Sequence, residues 1–125
     1  MNASAGLKKR EKIWRSREFQ ETYSKGLRIQ GPHLILYYIR RRDLPYPRLG
    51  LCVAKRSFKL STQRHLVQRH LREAFRQTKS RFLPGYDIVL NARRFDQKKV
   101  GFAQLQGEIL DLAKKAGVLK TDRLQ

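Results

Sequence analysis

A single α/β domain is what the sequence predicts, on three observations. Two short runs, Leu34-Ile35-Leu36-Tyr37-Tyr38-Ile39 and Ile88-Val89-Leu90, have the β-branched and aromatic character of strands. Two longer segments carry apolar residues at helical spacing: Val67, Leu71, Ala74 and Phe75 in one, Phe102, Leu105, Ile109 and Leu112 in the other. Glycine and proline punctuate between them, with no repeat or linker-like stretch in the 125 residues. That length suits one modest core.

Residues 1–12 are polar and basic and are expected to be flexible, with the domain over 13–117 and a tail over 118–125. Ser16 is the expected N-cap of a first helix, followed by Glu18 in its first turn, Phe19 and Tyr23 four apart, and Gly26 as the stop. Leu27-Arg28-Ile29 offers a short, weak pairing strand, and Gly31-Pro32 turns the chain into the strand over Leu34 to Ile39. After the loop Asp43 to Pro47, the strand Leu49 to Lys55 alternates Leu49, Leu51 and Val53 with Gly50, Cys52 and Ala54. The large set faces a core, and the small set lets something approach closely. Ser61 or Thr62 caps a long helix reaching about Phe82, stopped by Pro84-Gly85. The strand core Ile88 to Leu90 leads to Asn91-Ala92-Arg93-Arg94. A last helix runs from about Lys98 to Ala116, with Lys114 and Lys115 at its negative end and Gly117 as its stop.

The formal net charge is +19, and the sequence pI is near 11.0. With 40% hydrophobic residues the chain is too apolar for a disordered basic tail. No apolar run approaches the ~20 residues of a membrane span, and the N-terminus lacks the apolar core of a signal peptide. One cysteine, Cys52, excludes an internal disulfide framework and fits a reducing cytosol, so a cytoplasmic protein is expected. No acid stands between Asp43 and Glu73, where Arg48, Lys55, Arg56, Lys59, Arg64, Arg69 and Arg72 gather. A run of one sign repels itself unless an anion neutralises it, and a polyphosphate backbone is the commonest such partner.

On the central helix, His65, Gln68, Arg69, Arg72 and Arg76 share an arc about 100° wide, with Arg64 just beyond at the N-terminal end. Spacing alone allows this arc to be the solvated face of an amphipathic helix. Arginine in place of lysine favours nucleic acid, because its planar fork binds phosphate bidentately and stacks on bases. Glu73 can pair with Arg69 or Arg76. Phe19, Tyr23 and Tyr37 form a second set: Phe19 suits core packing, whereas the tyrosines carry hydroxyls that need partners and rings that can stack on unpaired bases.

An active site is not legible. His33, His65 and His70 are scattered, Asp43, Asp87 and Asp96 stand alone, and no Cys/His spacing suits zinc. No catalytic or metal-ligating residue is expected, and chemistry would belong to a partner.

The order of motifs resembles the bacterial ribonuclease P protein subunit from about Leu7 to Leu112. The matching pieces are Arg17-Glu18-Phe19, Tyr23, Gly26, Leu36-Tyr37, Arg48-Leu49-Gly50 and Val53-Ala54-Lys55-Arg56. They continue with Arg64, Arg69, Arg72-Glu73-Ala74-Phe75-Arg76, Asp87-Ile88-Val89 and Ala92-Arg93. The family's helix usually opens Arg-Asn-Arg and continues Lys-Arg; here those positions read Arg64-His65-Leu66 and Gln68-Arg69.

The resemblance implies an α+β fold, a two-layer α/β sandwich of order αβββαβα like the second domain of ribosomal protein S5. It implies a mostly antiparallel sheet and a left-handed βαβ crossover. It also implies a protein subunit of ribonuclease P that binds the catalytic RNA and the single-stranded 5′ leader of precursor tRNA. The RNA would carry out Mg²⁺-dependent removal of the leader; the protein would hold no cofactor and need no further protein partner. Combined with the two residue sets, Arg64, His65, Gln68, Arg69, Arg72 and Arg76 are the expected contacts to the RNA subunit. Phe19, Tyr23, Tyr37, Lys55, Arg56 and Arg93 are the expected contacts to the leader. The alternative is a ribosomal-type structural RNA-binding protein without enzymatic association, which explains charge and helix equally well.

Overall fold

The computed structural model describes residues 7–41 and 43–120. Its elements are α1 (Ser16–Lys25), β1 (Leu27–Gln30), β2 (Leu34–Arg40), β3 (Arg48–Cys52), α2 (Ser61–Thr78), β4 (Tyr86–Ala92) and α3 (Phe102–Ala116). This is the order αβββαβα. The four strands make one sheet, β1-β2-β4-β3. Two of its three pairings are antiparallel, with Leu36 opposite Leu90 at the centre. The third, β3 beside β4, is parallel and is spanned by α2, which makes the βαβ unit.

Alternation along the strands gives each face its role. Leu34, Leu36, Leu49, Ile88 and Leu90 point to one face and are buried against Val67, Leu71, Ala74 and Phe75 of α2 and Leu105, Ile109 and Leu112 of α3. This is the two-layer sandwich and the core. The opposite face carries Tyr37, Gly50, Asp87 and Asn91, and α1 lies across it, with Ile13 of the preceding segment packed beside it. At Gly50, an added Cβ would sit 2.8 Å from the ring of Phe19 and 3.1 Å from Ile13, so the small face of β3 exists to admit α1. Gly26 ends α1 for a related reason: a side chain there would collide with the carbonyl oxygens of Thr22 and Tyr38.

Several boundaries differ from expectation. Ser16 and Ser61 are the first helical residues rather than caps; Arg15 and Leu60 take the cap positions without a side-chain bond. For α2 the Gln63 carboxamide does the capping, accepting the Leu60 N–H at 3.2 Å. The helix closes at Thr78, whose hydroxyl donates to the Ala74 carbonyl at 2.8 Å, and a 3-10 turn at Lys79–Arg81 follows. β3 stops at Cys52, short of the expected Lys55. α3 starts at Phe102 instead of Lys98, because the Asp96 carboxylate accepts the Lys98 N–H and holds a separate turn.

The expected flexible segment over 1–12 lies partly outside the described residues. Within it, Lys9–Glu11 is a 3-10 turn, and the Glu11 carboxylate accepts bonds from Lys79 at 3.1 and 3.2 Å. Lys12 and Ile13 then run alongside Leu49, covering the open edge of β3. At the other end the domain continues beyond Gly117. Val118 is fully buried and Leu119 bridges to Phe82, so 118–120 are part of the fold and only 121–125 of the expected tail lie outside the described residues.

A buried carboxylate fixes α1 to the sheet. Asp87 is fully buried and accepts Arg48 Nε at 2.8 Å, Arg48 Nη2 at 2.7 Å and Arg41 Nε at 3.0 Å. Arg48 also donates to Glu18 at 3.1 Å, and Arg41 to Glu21. Removing one partner of such a group leaves the other charges buried and uncompensated. Asp87→Ala is therefore expected to lower unfolding free energy by roughly 3–5 kcal/mol in denaturant titrations. A loss below about 1 kcal/mol, the worth of an exposed pair, would mean that water already screens the cluster.

Candidate nucleic-acid interface

The groove begins where α1 leaves the Asp87 cluster. Phe19 packs over Gly50 on the face away from the core, half-buried and outside the core cluster. One turn later Tyr23, about a third exposed (36%), meets Tyr37 edge-on with ring centroids 4.7 Å apart. Its hydroxyl donates to Asn91 Oδ1 at 2.9 Å. Burial and the neighbouring Cys52 push the Tyr23 phenol above its usual range, so it stays a neutral donor. Sequence reasoning missed Asn91; the signal was its place on β4, where alternation sets it on the same face as Asp87.

Cys52 and Asn91 are partners in the parallel pair. Just beyond them the two strands lead to Lys55-Arg56 and Arg93-Arg94, all exposed. Arg56 and Arg94 line one cavity of about 590 Å³ with Phe58, Lys59 and Phe95. Arg93 is anchored by donating to the Gly31 carbonyl at 2.9 Å, and it borders the cavity between that turn and α3. The acids of α1 collect at one end of the groove and the cations at the other. An extended polyanion would meet the cationic end first.

On α2 the expected arc is real but uneven. His65, Arg69 and Arg72 are exposed and Gln68 is half-buried. Arg64 donates to the carbonyls of Phe58 and Lys59 at 2.7 and 3.1 Å, which ties it to the preceding loop. Arg76 is paired with Glu73, which chooses it over Arg69. Arg48, counted in the basic run, is spent inside the Asp87 cluster. Among the described residues, no three His, Cys, Asp or Glu side chains are placed to hold a metal ion. Nor is any described helix long and apolar enough to cross a membrane.

Fold and surfaces together define a class: a small basic α+β domain offering an aromatic-lined groove and an arginine-bearing helix face. The family model for ribonuclease P matches residues 7–117. The ribonuclease P protein component of Geobacillus thermodenitrificans is 32% identical over 114 residues, covering 91% of this chain and 93% of the relative. That of Stutzerimonas stutzeri is 36% identical over 92 residues, or 73% of this chain and 69% of the relative. The Staphylococcus aureus RNase P protein structure superposes with a TM-score of 0.78 at 27% identity, covering 88% of this chain and 98% of that one. The Thermotoga maritima protein gives 0.73 at 26% identity, covering 88% and 96%. This chain belongs to the ribonuclease P protein family. It is thus a component of a ribonuclease with a role in tRNA processing.

The carboxylates that hold these surfaces imply a pH dependence. Arg41 lowers the Glu21 carboxyl from its usual 4.5, and Arg76 lowers Glu73 to about 2. For Glu11, burial opposes ionisation, but the Lys8 N–H and Lys79 outweigh it, and the net shift is again downward. Folded values below unfolded ones mean that this stability is present above pH 4.5 and is lost as pH falls toward the folded values. Melting temperature should hold steady from neutral pH to about 5 and decline below 4.5, with a shallower decline in Glu21→Gln. Identical acid profiles for parent and variant would remove Glu21 from the account.

Proposed function

We propose that the chain carries two RNA sites for tRNA 5′ maturation: α2 binds the catalytic RNA subunit, and the α1 groove holds the single-stranded leader of precursor tRNA. The observation that carries this reading is the Tyr23–Tyr37 pair, propped by Asn91 beside the cationic ends of β3 and β4. Aromatic faces next to free cations suit a strand whose bases are unpaired: rings stack on bases and guanidinium or ammonium groups take phosphates. Tyr23 and Tyr37 supply the stacking, Phe19 supports them from below, and Lys55, Arg56 and Arg93 border the path of the backbone.

Arg69 and Arg72, with His65 and Gln68, make the solvent-facing contacts to the RNA subunit. Arg64 and Arg76 flank them, each already engaged with this chain's own groups. Hydrolysis falls to the RNA and the Mg²⁺ it holds. The protein's acids are poor candidates for that metal: Asp87, Glu18 and Glu21 are committed to arginines. The setting is the cytoplasm. A ribosomal-type RNA-binding protein would share the charge and the helix face, but it gives no role to a groove whose tyrosines stay partly open.

Tyr37→Ala should weaken binding of precursor tRNA to the holoenzyme by on the order of 1–3 kcal/mol while leaving mature tRNA, which lacks the leader, nearly unchanged. Equal losses for both substrates in a folded variant would make Tyr37 structural and place the leader elsewhere. Arg69→Ala and Arg72→Ala should each weaken binding of the RNA subunit and flatten its salt dependence, by roughly one unit of slope per phosphate contact. Unchanged slopes in both would return this face to ordinary solvated surface.

A further inference from the structure

The sole tryptophan, Trp14, is 61% exposed and packs in no core cluster. Its backbone is nonetheless fixed. It follows the Lys12–Ile13 segment that lies along the edge of β3, and it immediately precedes Arg15, the cap position of α1. Two cations lie over the ring: the Arg15 guanidinium carbon at 4.9 Å from its centroid and the Lys9 ammonium at 6.0 Å. Ile13 next to it is buried, so packing is served by the neighbour and the indole is left outside. The same segment faces α2 across a crevice lined by Leu7, Lys12, Gln68 and Arg72.

A large ring held on an anchored backbone, flanked by cations and facing away from the core, has the makings of a stacking platform for a nucleotide. A base stacking on the indole takes the place of a cation over the ring, and the cation so released meets the phosphates. We propose that Trp14 stacks on an unpaired base of the RNA subunit, extending the α2 surface across the N-terminal segment. The inference rests on α2 being the face for the RNA subunit. The crevice shared with Gln68 and Arg72 favours that RNA over the leader, whose groove opens on the far side of Phe19 at Tyr23 and Tyr37.

Because the chain has one tryptophan, fluorescence excited at the red edge of the absorption band, where its five tyrosines do not absorb, reports on this residue alone. Titrating the full chain with a transcript of the RNA subunit should quench the emission in step with binding. Later addition of precursor tRNA should change it no further. Trp14→Leu should bind the transcript roughly tenfold more weakly, the scale of one lost base stack, and Trp14→Phe should recover most of the loss. Both variants should melt like the parent. Unchanged emission on binding, or a Trp14→Leu variant that binds as tightly as the parent, overturns the proposal. Quenching that appears only with precursor tRNA overturns it in favour of the leader. If Arg69→Ala and Arg72→Ala still weaken binding when Trp14 proves silent, α2 keeps its role; if they too are silent, the wider reading fails as well.

Discussion

Asp87 sits fully buried on β4 with two arginines around it, and much of the rest of the molecule's working geometry follows from that. A carboxylate taken out of water must be met by cations and hydrogen-bond donors. Arg41 and Arg48 meet it, yet each guanidinium has donors left over. Those donors reach Glu18 and Glu21, three residues apart on one face of α1. The helix is thereby fixed in position and in rotation. Once Glu18 and Glu21 point at the arginines, Phe19 must lie over Gly50 and Tyr23 must stand beside Asn91. A groove shaped by a short helix on an otherwise open sheet face is in this way preformed.

The same cluster sorts the charge. A chain with 29 basic and 10 acidic residues has few acids to place. Three of them, Glu18, Glu21 and Asp87, meet at one end of the groove and neutralise the arginines there. Glu11 and Glu73 neutralise Lys79 and Arg76. Among the described cations left without an acidic partner are Lys55, Arg56, Arg93 and Arg94 beyond the ends of β3 and β4, and Arg69 and Arg72 on the outer face of α2. Along the groove, acids at one end and cations at the other give the attraction for a polyanion a direction.

The core and the element order were legible because they rest on local signals. Period-2 alternation placed Leu49 and Leu51 toward the helices, and helical spacing placed Val67, Leu71, Ala74 and Phe75 inward. Gly117 stops α3 in the left-handed region, as its position suggests. Caps were less legible. Serine at the start of a helix looks like a cap, but Gln63 three residues past Leu60 does that work for α2. The site was legible in part. The structure brings together Tyr23 and Tyr37, which residue type alone groups as candidates, whereas Asn91 and the pairing of Arg48 depend on partners far along the chain, about which spacing carries no information. The basic run read as one surface because sequence shows which acids are absent nearby, not which acids the fold brings in.

The central claim is that the leader lies in the groove between α1 and the sheet while α2 faces the RNA subunit. The most direct measurement is photo-crosslinking in the assembled holoenzyme, with 4-thiouridine placed at successive leader positions of precursor tRNA and the crosslinked peptides mapped by mass spectrometry. The expected result is crosslinks to the peptides carrying Tyr23 and Tyr37, competed by unlabelled precursor tRNA. Crosslinks confined to peptides of α2, with none on α1 or β2, would contradict the account.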